Sequence, residues 1–134
     1  LMRERLIDFI RVHISDIGGL TPARKLAAFG EFLGVRSAWH GPGDVSPVGH
    51  AANMHLDLAI SNFGIQELSL FPEATREVFP GTPEVRDGCL WCNEQPGLGI
   101  DIDEALAAKY PFPEHEYNGA WPEVRRLDGT VIKP

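Results

Sequence analysis

Trp39-His40-Gly41-Pro42-Gly43-Asp44-Val45-Ser46-Pro47-Val48-Gly49-His50 closes the short run Val35-Arg36-Ser37-Ala38 and decides how the chain is read. An imidazole stands where the run stops, and a glycine-rich turn with a carboxylate follows. Ser46-Pro47 then opens a helix, as N-cap and first-turn proline. Parallel strands of α/β proteins carry their chemistry at their C-terminal ends, so His40 to Val45 is a candidate active-site loop.

The same pattern lies on either side. Phe9-Ile10-Arg11-Val12-His13-Ile14 is a β-rich run that ends in the loop Ser15-Asp16-Ile17-Gly18-Gly19. Thr21-Pro22 predicts a helix from about Pro22 to Leu33, capped by Thr21 and stopped by Gly34. Ala23, Leu26, Ala27, Gly30 and Leu33 form its inner face. After the second strand, Val35 to Trp39, a second helix is predicted from Ser46 to Ala59, with Val48, Ala52, His55, Leu56 and Ala59 inward. Asn62-Phe63-Gly64-Ile65-Gln66-Glu67 reads as a third strand with a carboxylate at its end.

Arg11, His40 and Glu67 are separated by 29 and 27 residues. A (β/α)8 barrel of about 250 residues spends about 31 on each unit. Strand, helix, strand, helix, strand at this period means parallel strands joined by right-handed crossovers. Arg11, His40 and Glu67 should then point into one mouth from three adjacent strands, with Asp44 beside them. Three strands cannot close a barrel, so the expectation is a small open sheet or a piece of a larger barrel.

The bulk properties narrow the function. At 134 residues the chain can bury a core, with 43% hydrophobic residues and mean hydropathy -0.13. A net charge of -7 disfavours nucleic-acid binding, and no run approaches the length of a membrane span. Leu1-Met2-Arg3-Glu4-Arg5 lacks a signal-peptide pattern. A first residue of Leu suggests a segment of something longer.

Cys89-Leu90-Trp91-Cys92 is a single CxxC without the second pair of a zinc site, so two reduced cysteines in a cytoplasmic protein are expected. His50 and His55 lie about 140° apart around a helix and cannot share a metal. Asp101, Asp103 and Glu104 are read as capping and solvated carboxylates. Residues 71–101 are punctuated by Pro72, Pro80, Pro83 and Pro96, as in a flap or packing arm. A short helix is expected from Glu104 to Tyr110, and a hairpin around Asp128-Gly129 within Val124–Ile132.

Arg11 is costly inside an apolar strand unless a carboxylate or an anionic ligand pairs with it. Guanidinium, imidazole and two carboxylates at one mouth would suit a hydroxylated sugar acid. The plainer reading of His40 is a capping-loop histidine bonded to backbone; residue types alone leave both open.

Ile7-Asp8-Phe9-Ile10-Arg11, Gly18-Gly19-Leu20-Thr21-Pro22, His40-Gly41-Pro42-Gly43-Asp44-Val45-Ser46-Pro47 and Asn62-Phe63-Gly64-Ile65-Gln66-Glu67 closely resemble the enolase superfamily. Within it they look like the mannonate dehydratase group, which includes proteins named as starvation-sensing, and Pro96 to Glu104 resembles that group's tail. The resemblance matches the last third of a member. It implies an α/β fold: residues 1–70 as the last three βα-type units (strands six to eight) of a barrel, and 71–134 as a C-terminal extension packing towards the capping domain.

The implied reaction is dehydration of D-mannonate or D-gluconate to a 2-keto-3-deoxy acid with magnesium, whose ligands sit upstream, none in this chain. Arg11, His40, Asp44 and Glu67 are implied substrate contacts, with His40 also orienting substrate or acting as acid. The full-length protein would be a cytoplasmic homo-oligomer with no nucleic-acid or membrane partner. Other branches pair the strand-seven histidine with a strand-six aspartate, for which Asp16 is the nearby residue. A racemase or epimerase and a non-catalytic sugar-acid-binding or sensing relative remain alternatives.

Overall fold

β1 (Phe9–Ile10) and β2 (Arg36–Ser37) pair in parallel, with Phe9 opposite Arg36 and Ile10 opposite Ser37. A computed structural model describes residues 1–111. The ladder continues past the named strands, because Ala38 N–H donates to Ile10 C=O and His40 N–H to Val12 C=O. On the other side of β2, Phe63 bridges Ser37, again in parallel. Three adjacent parallel segments therefore carry Arg11, His40 and Glu67, as the spacing predicts. The third is a single bridge and not the expected strand from Asn62 to Glu67, since Gly64 and Ile65 both donate to the same Ser37 carbonyl.

α1 (Leu20–Phe32) connects β1 to β2. It starts two residues earlier than predicted, with Gly19 and not Thr21 at the N-cap and no side-chain cap. Pro22 is tolerated because first-turn N–H groups have no helical partner to lose. The stop is as expected: Gly34 takes φ 73 just after the helix, where a side chain would be strained. Ala23, Ala27 and Gly30, at i, i+4 and i+7, are its buried residues. They lie over a core of Ile10, Ile14, Val35, Trp39 and Leu56.

α2 (Pro47–Leu58) is capped by Ser46, whose hydroxyl accepts from Gly49 N–H at 3.3 Å. Its buried face is a correction. His50, Ala51, Asn53, Met54 and Leu56 are buried, whereas Val48, Ala52 and His55 are half-buried and Ala59 is exposed. Polar residues hold the inner stripe because the strand ends beneath it present backbone groups that need partners.

Residues 71–111 contain more order than the proline pattern suggests. α3 (Glu73–Val78) is followed by an antiparallel hairpin of β3 (Glu84–Arg86) and β4 (Cys89–Trp91). Asp87 and Gly88 turn it with φ 52 and 76, the positive-φ pair of a type I′ turn. Asp103 caps α4 (Glu104–Ala107) by accepting from Leu106 N–H at 2.8 Å, so the cap is as read while the helix ends before Tyr110. The hairpin expected in Val124–Ile132 lies outside the described residues. No helix of the structure is long and apolar enough to cross a membrane among the described residues.

Candidate functional site

The mouth is organised around Glu67. Arg11 Nη2 donates to both of its carboxylate oxygens, at 2.8 and 2.9 Å. His40 Nδ1 lies 2.8 Å from Oε2, and Gly41 N–H donates to the same oxygen at 3.0 Å. The cation in the first strand is thus satisfied by the carboxylate of the third, across the strand between them. Glu67 is 40% exposed, yet the Gly41 amide, then Arg11 and His40, hold its pKa down to about 2 against the opposing effect of burial. An ionised carboxylate only accepts, so Nδ1 of His40 carries the hydrogen and Nε2 is left for a ligand.

The loop carrying His40 is gripped from below by α2. Asn53 Nδ2 donates to the His40 carbonyl at 3.3 Å, and His50 Nε2 to the Pro42 carbonyl at 3.4 Å. His50 is fully buried with its ring edge-on to Phe71 at 5.0 Å, and burial lowers its pKa, which keeps it neutral. From the third segment, Ser69 Oγ donates to the Gly41 carbonyl at 3.2 Å and Gln66 Nε2 to the Trp39 carbonyl at 3.3 Å. Gly41 permits this close approach: a Cβ there would run into the Glu67 carbonyl and come within 2.9 Å of His50 Cε1.

Asp44 stands apart from the Arg11–Glu67–His40 cluster. It is exposed on the loop and makes no side-chain hydrogen bond to the other three among the described residues. It does share a cleft of about 470 Å³ with His40, lined also by His13, Leu20 and Asn53. Asp16 lies 3.9 Å from His13 Nδ1, so it is His13 and not His40 that this aspartate faces.

His13 and Asn53, which line the cleft, and His50, which bonds the His40 loop, are residues that periodicity reasoning passes over. His13 follows Arg11 by two and so shares its strand face. His50, Asn53 and Asp57 fall at i, i+3 and i+7, a helical stripe hidden by being polar.

Other chemistry-bearing residues lie outside the mouth. Cys89 and Cys92 are free thiols. Cys92 Sγ lies 3.8 Å from His55 Nε2, which also approaches the Leu98 carbonyl at 3.2 Å. Asp101 Oδ1 accepts from Ile102 N–H. Among the described residues no group of three or more His, Cys, Asp or Glu could hold a metal ion. Glu67, the carboxylate at the mouth, is already occupied by Arg11, His40 and Gly41. These residues do not fit a magnesium site of their own.

The chain resembles known proteins along its whole length. Residues 1–106 match the enolase C-terminal domain-like family. The whole chain is 58% identical to the D-galactonate dehydratase family member RspA of Pantoea ananatis, and 57% to the family member SEN1436 of Salmonella enteritidis PT4. It spans about a third of the length of these relatives, 32% in both cases. An enolase from Pantoea ananatis, crystallised with D-gluconate and magnesium, superposes with TM-score 0.84 at 58% identity over all of this chain and 32% of that one. A mandelate racemase/muconate lactonizing enzyme from a Sulfitobacter species superposes with TM-score 0.74 at 28% identity, covering 84% of this chain and 28% of that one. With its α/β content and three parallel segments meeting at Glu67, this chain belongs to the enolase C-terminal domain-like family.

Proposed function

We propose that this chain is the C-terminal part of a magnesium-dependent acid-sugar dehydratase, supplying strands six to eight of its barrel and acting on D-gluconate or D-mannonate. The observation that carries the reading is the closure of Arg11, His40 and Gly41 on one ionised carboxylate at the ends of three parallel segments. The D-gluconate and magnesium bound by the Pantoea enolase supply the substrate class and the metal. Magnesium ligands are expected upstream.

Dehydration removes the proton from carbon 2, expels the carbon 3 hydroxyl as water and leaves an enol that becomes the 2-keto-3-deoxy acid. The residues that begin this by taking the proton are expected upstream. This chain's share is binding and orientation. Glu67 fixes the Arg11 guanidinium, whose remaining N–H groups suit a carboxylate, and sets His40 with Nδ1–H inward and Nε2 towards the cleft. His40 Nε2 can accept from a substrate hydroxyl, or donate to a departing one when protonated. Asp44, across the cleft, accepts from the hydroxyl chain.

The racemase or epimerase alternative draws on the Sulfitobacter relative. It asks for an aspartate behind the strand-seven histidine, and here Glu67 takes that place while Asp16 faces His13. Incubating the complete polypeptide with each sugar acid and magnesium tests the reading. Formation of a 2-keto-3-deoxy acid is expected. Binding without turnover would make the protein a sugar-acid sensor, and epimerised product would make it an epimerase.

A further inference from the structure

One imidazole at the mouth has no role in the proposed dehydration. His13 sits beside His40, and their rings meet edge-on with centroids 5.9 Å apart and planes at 65°. His13 is itself anchored, its Nδ1 lying 2.6 Å from the Ser15 hydroxyl and 3.9 Å from Asp16. Its side chain is 24% exposed and lines the same cleft as His40 and Asp44.

We propose that His13 is a positioning residue that holds the His40 ring in its Glu67-bonded orientation, a role that rests on the acid-sugar reading of this mouth. One hydrogen bond at Nδ1 fixes one corner of the His40 ring and leaves the ring free to rock about that contact. The cleft on its open side contains no other described side chain hydrogen-bonded to it. An edge-to-face neighbour removes that freedom, because aromatic pairs favour this arrangement over a splayed one. The Ser15 hydroxyl makes the neighbour stiff. What matters under this proposal is the flat ring of His13 and not its nitrogens, so phenylalanine can replace it and alanine cannot.

The test uses the complete polypeptide with His13→Ala, His13→Phe and Ser15→Ala. Turnover of D-gluconate and crystal structures of the two His13 variants are compared with wild type. His13→Ala should lower kcat roughly threefold to tenfold with KM within about twofold, the size of one lost aromatic contact. His13→Phe should restore kcat to within about twofold of wild type, and Ser15→Ala should fall between. In the crystals the His40 ring should tilt about its Glu67 contact or take more than one orientation in His13→Ala and hold its wild-type orientation in His13→Phe. Equal losses in both variants would overturn the proposal by showing that the imidazole nitrogens act directly, and so would no loss in either. If wild type turns over no sugar acid, the dehydratase reading fails, and the crystals alone decide: a single, wild-type orientation of the His40 ring in His13→Ala overturns the positioning role.

Discussion

Two carboxylates in this molecule are each held between cationic or nitrogen partners, and the contrast between them is instructive. Glu67 joins Arg11 and His40 from 56 and 27 residues away, and adds a backbone amide of the neighbouring loop. Glu84, in the C-terminal arm, joins Arg76 and Arg86 from 8 and 2 residues away. Both pKa values are lowered, Glu67 first by the Gly41 amide and Glu84 by Arg86. Glu84 is about as exposed as Glu67, and its partners lie along its own hairpin and the preceding helix. A carboxylate that closes three chain segments at once builds a site, whereas one that bonds its immediate surroundings decorates a surface.

The sharpest way to break this contrast is Glu67→Gln. In the complete polypeptide it should cut dehydration on the order of 100-fold, since it frees Arg11 and His40 together. Folding favours the ionised form of Glu67, so its stabilisation is present above 4.5 and is lost as pH falls towards about 2. Melting curves of wild type and Glu67→Gln should therefore separate at neutral pH and converge across that window. Curves that stay parallel down to pH 2 would contradict the assignment.

Gly41→Ala against Gly88→Ala sharpens the comparison at the backbone. The first puts a Cβ into the Glu67 carbonyl and should destabilise by roughly 2–3 kcal/mol. The second meets open space at φ 76 and should cost about 1 kcal/mol of turn strain. Denaturant unfolding measures both, and a larger effect at Gly88 would reverse the ranking.

Asp57 tests a third environment. Burial raises its pKa to about 7, against the opposing pull of Ser37 and Trp39, and Oδ2 has no hydrogen-bond partner among the described residues. The Trp39 indole N–H lies near the carboxylate without a well-aligned hydrogen bond. Folding favours the protonated form here, so stability falls as pH rises from 3.8 to about 7. Asp57→Asn should be more stable than wild type at pH 8 by roughly 1–2 kcal/mol, the difference vanishing near pH 4. A constant difference at all pH values would remove the buried-carboxylate account.

The smallest effect belongs to the arm. Glu84→Gln should leave turnover and melting temperature unchanged, because solvent replaces its two arginine bonds. A change comparable to that of Glu67→Gln would erase the distinction between the two carboxylates.

What could be read from the sequence depended on how local its signal was. The 29 and 27 residue spacing announces parallel strands ending at Arg11, His40 and Glu67, and Ser46-Pro47 announces α2, because caps and crossovers leave marks within a few residues. The inward stripe of α2 was hidden. Apolar periodicity selects Val48 and Ala52, while the helix buries His50 and Asn53 to satisfy carbonyls of a loop. That need arises only once the strand ends are in place. The hairpin at Asp87-Gly88 carried a strong turn pair, but the surrounding prolines and glycines masked it. Asp44 is close to His40 in sequence yet outside the carboxylate cluster, since a loop side chain's direction is set by tertiary packing.

In the proposed function this mouth holds and orients a sugar acid, with His40 presented to it by Glu67. Turnover of D-gluconate by His40→Asn in the complete polypeptide tests it most directly, with melting temperature measured alongside. His40→Asn should lower turnover on the order of 100-fold at an unchanged melting temperature, because His40 is half-buried at a strand end and, in its proposed role, meets substrate more than core. Near-native turnover on D-gluconate and D-mannonate alike would contradict it and leave His40 as a capping-loop residue.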